Sequence, residues 1–117
     1  MVLLEAAHQA AGRAYVPYSN FPVGAALATG SDGVVTACNV ENASYGLTIC
    51  AERAVAFKAI SEGEREFEAL ALCAPGGAMP CGACLQVLDE FNPGLLVLVG
   101  DEHRNLKGTY HLGDLLP

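Results

Sequence analysis

Residues 69–100 read ALALCAPGGAMPCGACLQVLDEFNPGLLVLVG, and the order of elements in this stretch decides the fold. Ala69–Cys73 is an apolar run of strand length, and Leu95–Val99 is a second, flanked by Gly94 and Gly100. Between them Cys81–Phe91 reads as a helix. A strand, a helix and a second strand in succession make a crossover unit, which brings the two strands side by side and parallel.

Upstream of this unit, Gly63 ends a helix over Cys50–Glu62, which follows a loop rich in Asn, Ser and Gly over Asn42–Gly46. Val23–Ala28 and Val34–Val40 read as two strands joined by the turn residues Gly30-Ser31-Asp32-Gly33, a hairpin. Asn20 and Pro22 mark a turn before it. Leu3, Leu4, Ala7, Ala10, Ala11 and Ala14 recur at helical spacing, so residues 2–15 are expected to form an amphipathic helix closed by Pro17. Beyond Gly100 the sequence offers a polar stretch, a fifth strand near Thr109 and a final turn. The expected order is αββαβαβ: a three-layer α/β/α fold with a mixed five-stranded sheet, helices on both faces, and parallel neighbours after the hairpin. With 117 residues and no repeat or linker, residues 1–117 are expected to form one domain.

Thirteen acidic against six basic residues leave a net charge of −7, with a pI near 4.7. No cluster of Lys or Arg forms a basic patch, so nucleic acid is excluded as a partner. No run approaches the ~18 apolar residues of a membrane span, and Met1–Tyr15 lacks the basic start and long apolar stretch of a leader. The expectation is a cytosolic protein with no membrane partner. Apolar residues make up 52% of the chain and mean hydropathy is +0.33, which favours association of subunits. Five cysteines, an odd number without an export signal, argue for metal or redox chemistry over a disulfide framework.

Cys81-Gly-Ala-Cys84 puts two thiols on one helix face within the first turn, where free backbone N–H groups favour thiolate. Met79-Pro80 fixes the entry of the chain. Cys50-Ala-Glu52-Arg53 opens the preceding helix with a third thiol. On a regular helix Cys50 and Glu52 would point about 200° apart, so they share a site only if Cys50 stands at the entry, before the backbone turns helical. Three thiolates suit Zn²⁺ and leave a fourth position for water. Glu52, beside the metal and not bound to it, is placed to take a proton from that water and return it to a leaving amine. Three thiolates outweigh the ion by one negative charge, and Arg53, three residues after Cys50, is placed to donate to the sulfurs.

Cys50-Ala-Glu52 with Pro80-Cys81-x-x-Cys84 resembles the signature of the cytidine deaminase family. The resemblance extends through Asn20-Phe-Pro-Val-Gly24, Asn39-Val-Glu-Asn42 and Ala51-Glu-Arg-Ala54, most of the chain. It implies a zinc-dependent aminohydrolase that attacks C4 of cytosine in a free nucleoside. It also implies that Asn39 and Glu41 bind the sugar hydroxyls, that Phe21 packs on the pyrimidine, and that Ala51 and Tyr45 complete the substrate contacts. By the same resemblance the protein is a homotetramer in which Tyr45 reaches a neighbour's pocket, and Gln86 holds the Arg53 guanidinium. Two positions depart from the family pattern. Leu85 stands where Arg commonly follows the last cysteine, and after Leu-Leu-Pro117 there is no Phe to help close a neighbouring site.

Other readings compete for the same residues. Cys-Gly-Ala-Cys between strand and helix also resembles a thioredoxin-like redox motif, which leaves Cys50 and Glu52 without a role. A closed zinc module would recruit Cys38 or Cys73 as a fourth thiolate, although both are expected to be buried apolar thiols on strands. A deaminase of another aminopyrimidine, or of a cytosine-containing antibiotic, shares every motif. His8, His103 and His111 show no ligand spacing and are expected at the surface.

Overall fold

The computed structural model describes residues 2–115. Helix α1 spans Val2–Ala11, the hairpin strands β1 and β2 span Gly24–Thr29 and Val34–Cys38, and a 3-10 turn covers Tyr45–Leu47. Helix α2 is Ala51–Ser61, β3 Phe67–Cys73, α3 Gly82–Phe91, β4 Leu96–Gly100, β5 Leu106–His111 and α4 Leu112–Leu115. The five strands lie in the order β2-β1-β3-β4-β5.

The strands alternate between two cores, as the period of two requires. Ala25, Leu27, Leu70, Leu72, Val97 and Val99 face a core shared with Val55, Ala56 and Ala59 of α2 and Leu85 and Leu88 of α3. Ala26, Ala71, Cys73 and Leu98 face the other way, against Leu4 and Ala7 of α1. Helices therefore cover both faces, and the three-layer α/β/α arrangement with a mixed five-stranded sheet holds. Gly24 permits the close seating of α1, because a Cβ there would lie 1.9 Å from the Ala7 carbonyl oxygen.

Several boundaries and one pairing differ from expectation. The first helix stops at Ala11, well before Pro17. Tyr15 is drawn instead into extended pairing with the end of the hairpin, its N–H donating to Asn39 O and its carbonyl accepting from Glu41 N. β2 ends at Cys38, with Val40 continuing as an isolated bridge to Ile49. Within the described five-stranded sheet, β3 and β4 are the one parallel pair. α2 carries the chain from β2 over β1, so β3 lands antiparallel to β1 and not beside β2. Cys38 is half-buried at the end of the edge strand and not fully buried as expected, whereas Cys73 is enclosed and its thiol donates to Leu4 O. His8 is half-buried rather than at the surface, with Nε2–H donating to the Glu102 carbonyl.

This topology creates the site. β2 and β3 are both antiparallel to β1 and so point the same way. Their carboxyl ends open on one edge of the sheet, and the helices that follow them begin there side by side. Ligand sites in α/β folds gather at such edges.

Candidate active site

Cys50 and Cys81 are the N-cap residues of α2 and α3, both with extended backbone (φ −74°, ψ 152° and φ −76°, ψ 167°). The extended backbone at Cys50 removes the difficulty of its spacing to Glu52, since its side chain leaves before the helix begins. Neither thiol makes a capping hydrogen bond. Ser, Thr, Asp or Asn would stabilise these ends better, so helix capping does not explain a cysteine at either position. The Sγ atoms of Cys50, Cys81 and Cys84 lie within 4.8 Å of one another. Among the described residues no fourth thiol, imidazole or carboxylate joins this group, so Cys38 and Cys73 do not close it. The donor set fits Zn²⁺: three soft sulfurs, two helix N-termini behind them, and room for one more ligand.

The three sulfurs differ in surroundings. Cys81 is exposed to the cleft and Cys84 is buried, their Sγ atoms 3.2 Å apart. Burial pushes the Cys84 thiol well up, and the Glu52 charge adds to it. Burial acts the same way on Cys81, but hydrogen bonds from the Cys84 backbone and the neighbouring thiols outweigh it and bring that thiol below its ordinary value.

Arg53 supplies one positive charge. Its Nη2 donates to Cys50 Sγ at 3.3 Å, and that bond, against the cost of burial, holds the guanidinium more firmly protonated. Arg53 Nε is buried with no partner. The expected support from Gln86 is not seen, because Gln86 is exposed on the outer face of α3 and no hydrogen bond joins it to Arg53. Leu85 is buried in the core shared by α2 and α3.

Above the sulfurs opens a cleft of about 390 Å³. Phe21, Asn39, Glu41, Tyr45, Cys50, Ala51, Glu52 and Cys81 all line it, so the structure brings together nearly every residue singled out from the sequence. Cys84 and Arg53 lie behind its wall. Glu52, in the first turn of α2, is 6% exposed. Burial raises its carboxyl above the ordinary glutamate value, opposed by its own backbone N–H, by Cys84 and by the Arg53 charge. It is a carboxyl able to hold a proton at the floor of a cleft, beside three sulfurs.

The side walls are organised by hydrogen bonds. Asn39 accepts from Val23 N at 2.9 Å and donates to Phe21 O at 3.0 Å. Glu41 Oε1 accepts from the backbone N–H groups of Tyr18 and Ser19 at 3.0 and 3.1 Å. Both side chains thus tie the loop before β1 to the extended tail of β2. Two bonds between Val40 and Ile49, of 3.1 and 2.9 Å, close the base of the loop that carries Tyr45. Tyr45 stands at the rim, 89% exposed. Ser19, Thr48 and Met79 also line the cleft and were not anticipated. Only the Asn20–Pro22 turn signal lay near Ser19, and that marks a bend without naming a site.

Comparison with known proteins agrees with this geometry. The family model described as the cytidine and deoxycytidylate deaminase zinc-binding region matches residues 2–99. A cytidine deaminase of Sporosarcina psychrophila is 47% identical over 108 residues, covering 91% of this chain and 77% of that protein. A cytidine deaminase of Mycobacterium tuberculosis is 50% identical over 113 residues, 95% of this chain and 81% of that one. The crystal structure of cytidine deaminase from Burkholderia pseudomallei superposes with a TM-score of 0.94 at 48% identity, covering 99% of this chain and 94% of that one. With a matching fold, three clustered thiols and a family match over most of its length, this chain belongs to the zinc-binding cytidine deaminase family.

Proposed function

We propose that this protein hydrolyses the 4-amino group of cytidine and 2'-deoxycytidine, giving uridine or 2'-deoxyuridine and ammonia. The observation that carries the reading is the buried Glu52 carboxyl on the floor of the same cleft as a three-thiol cluster. Cys50, Cys81 and Cys84 hold zinc, which supplies the Lewis acidity that makes water a nucleophile at neutral pH. Glu52 takes a proton from the attacking water and delivers it to the departing amine, a shuttle suited to a carboxyl raised by burial. Arg53 offsets the negative charge of the sulfurs. Asn39 and Glu41 bind the sugar, Phe21 packs on the base, and Ala51 lines the wall beneath it.

Residues 1–117 act as one catalytic domain, in a homotetramer where Tyr45 reaches a neighbour's pocket. Its exposure supports that reading. Glu41 and the net charge of −7 disfavour a phosphate, so free nucleosides are the substrates and nucleic acid is not. The described residues contain no helix long and apolar enough to cross a membrane, and the proposed setting is pyrimidine salvage in the cytoplasm. Zinc-loaded protein incubated with cytidine should release ammonia at a rate well above that with cytidine monophosphate. Equal turnover of the two, or none of either, would set this reading aside.

A further inference from the structure

Glu41 is not a free carboxylate reaching into the cleft. Its Oε1 accepts two backbone N–H groups, from Tyr18 and Ser19, and its Oε2 accepts the Ser19 hydroxyl. An ionised carboxylate has about four lone-pair directions, so three are in use and one remains, on Oε2. The same Ser19 Oγ accepts from Phe21 N at 3.1 Å. That bond holds the hydroxyl in place beside Glu41, and both residues line one cleft. The Ser19 hydroxyl is also the foremost cause holding the Glu41 carboxyl below the ordinary glutamate value, ahead of the two backbone bonds. A carboxylate so held accepts one sugar hydroxyl in one direction, with no reorganisation on binding.

We propose that Ser19 is a positioning residue for the substrate sugar, aiming the one open lone pair of Glu41 Oε2 at a ribose hydroxyl through its own hydrogen bond to that oxygen. This rests on the reading of Glu41 as a sugar ligand. Ser19 touches neither the sulfurs nor Glu52 among its hydrogen bonds, so its effect falls on binding and not on proton transfer.

The test is a substrate and variant series in steady-state kinetics. Ser19 is exposed on a loop outside both cores, so S19A folds and keeps its zinc, which circular dichroism and metal analysis verify. S19A should raise KM for cytidine about tenfold, the size of a charge-assisted hydrogen bond, with kcat within about twofold. On 2',3'-dideoxycytidine, which keeps the 5'-hydroxyl but lacks the ring 2'- and 3'-hydroxyls that Glu41 is read to bind, the same variant should change KM by less than about twofold, and S19T, which keeps the hydroxyl, should match the wild type on both within that margin. Added to E41A, S19A should cost nothing further beyond about twofold. An unchanged KM for cytidine in S19A, or an equal penalty on both substrates, overturns the proposal. If E41A itself leaves KM for cytidine unchanged, the sugar reading of Glu41 has failed. If E41A raises KM and S19A does not, only the role of Ser19 has failed.

Discussion

Glu52 carries two properties that oppose each other in most proteins: it is buried, and it is proposed to exchange protons in every turnover. Burial disfavours its charged form, while its place in the first turn of α2 and the adjacent Arg53 favour it. The balance gives a carboxyl that can both accept and release a proton. Glu52→Gln keeps the volume and leaves all three sulfurs in place. It should retain one zinc per chain and lose kcat by about 10²–10⁴-fold, the usual contribution of a general acid–base group. Ammonia release at the wild-type rate in zinc-replete Glu52→Gln would remove Glu52 from the mechanism. At this scale much was legible, because three thiols stand at two helix starts, with Glu52 and Arg53 directly after the first. Ser19 was not, since its importance lies in a hydrogen bond to a residue 22 positions away. Gln86 was expected beside Arg53 by resemblance alone, and two residues past Cys84, about 200° around α3, it is exposed.

The elements were legible where periodicity decides them and not where long-range pairing does. The hairpin, α2, α3 and the β3-α3-β4 unit follow from local pattern. The end of α1 does not, because Tyr15 leaves the helical pattern for hydrogen bonds with Asn39 and Glu41. β5 was marked only near Thr109 because its burial is intermittent on an edge strand. The turn that returns the chain into β5 is built on Asp101, which is 4% exposed and accepts from the N–H groups of Asn105 and His103, both at 2.9 Å. Those bonds, that of Asn105 foremost, together with Lys107, hold its carboxyl below the ordinary aspartate value. A carboxyl depressed in the folded state contributes stability above its unfolded pKa, and that contribution is lost as pH falls through the folded value. Asp101→Asn should therefore lower Tm at neutral pH, and its gap from the wild type should close as pH falls through and below the ordinary aspartate range. A gap of constant width across that range would mean that the charge of Asp101 does not hold the turn.

At the scale of the whole molecule, the topology explains why the motifs meet. Two strands pointing the same way on either side of β1 deliver two helix N-termini to one edge, each with a cysteine as its N-cap. The sequence shows the motifs but not the strand order, which depends on α2 passing over β1. The apolar surplus seen in composition reappears as exposed side chains, among them Leu47 at 72% and Phe57 at 48%. Light scattering should return about four times the 12.1 kDa chain mass. A fully active monomer would refute the homotetramer. Leu116 and Pro117 lie outside the described residues. If Cys50, Cys81 and Cys84 hold a catalytic zinc, metal content and ammonia release from cytidine rise together when both are measured on the same samples, stripped of metal and then reloaded in steps. Turnover should vanish in stripped protein and rise in proportion to zinc, reaching its maximum at about one ion per chain. Full turnover in protein without zinc, or purified protein carrying a Cys81–Cys84 disulfide and no metal, would contradict that assignment.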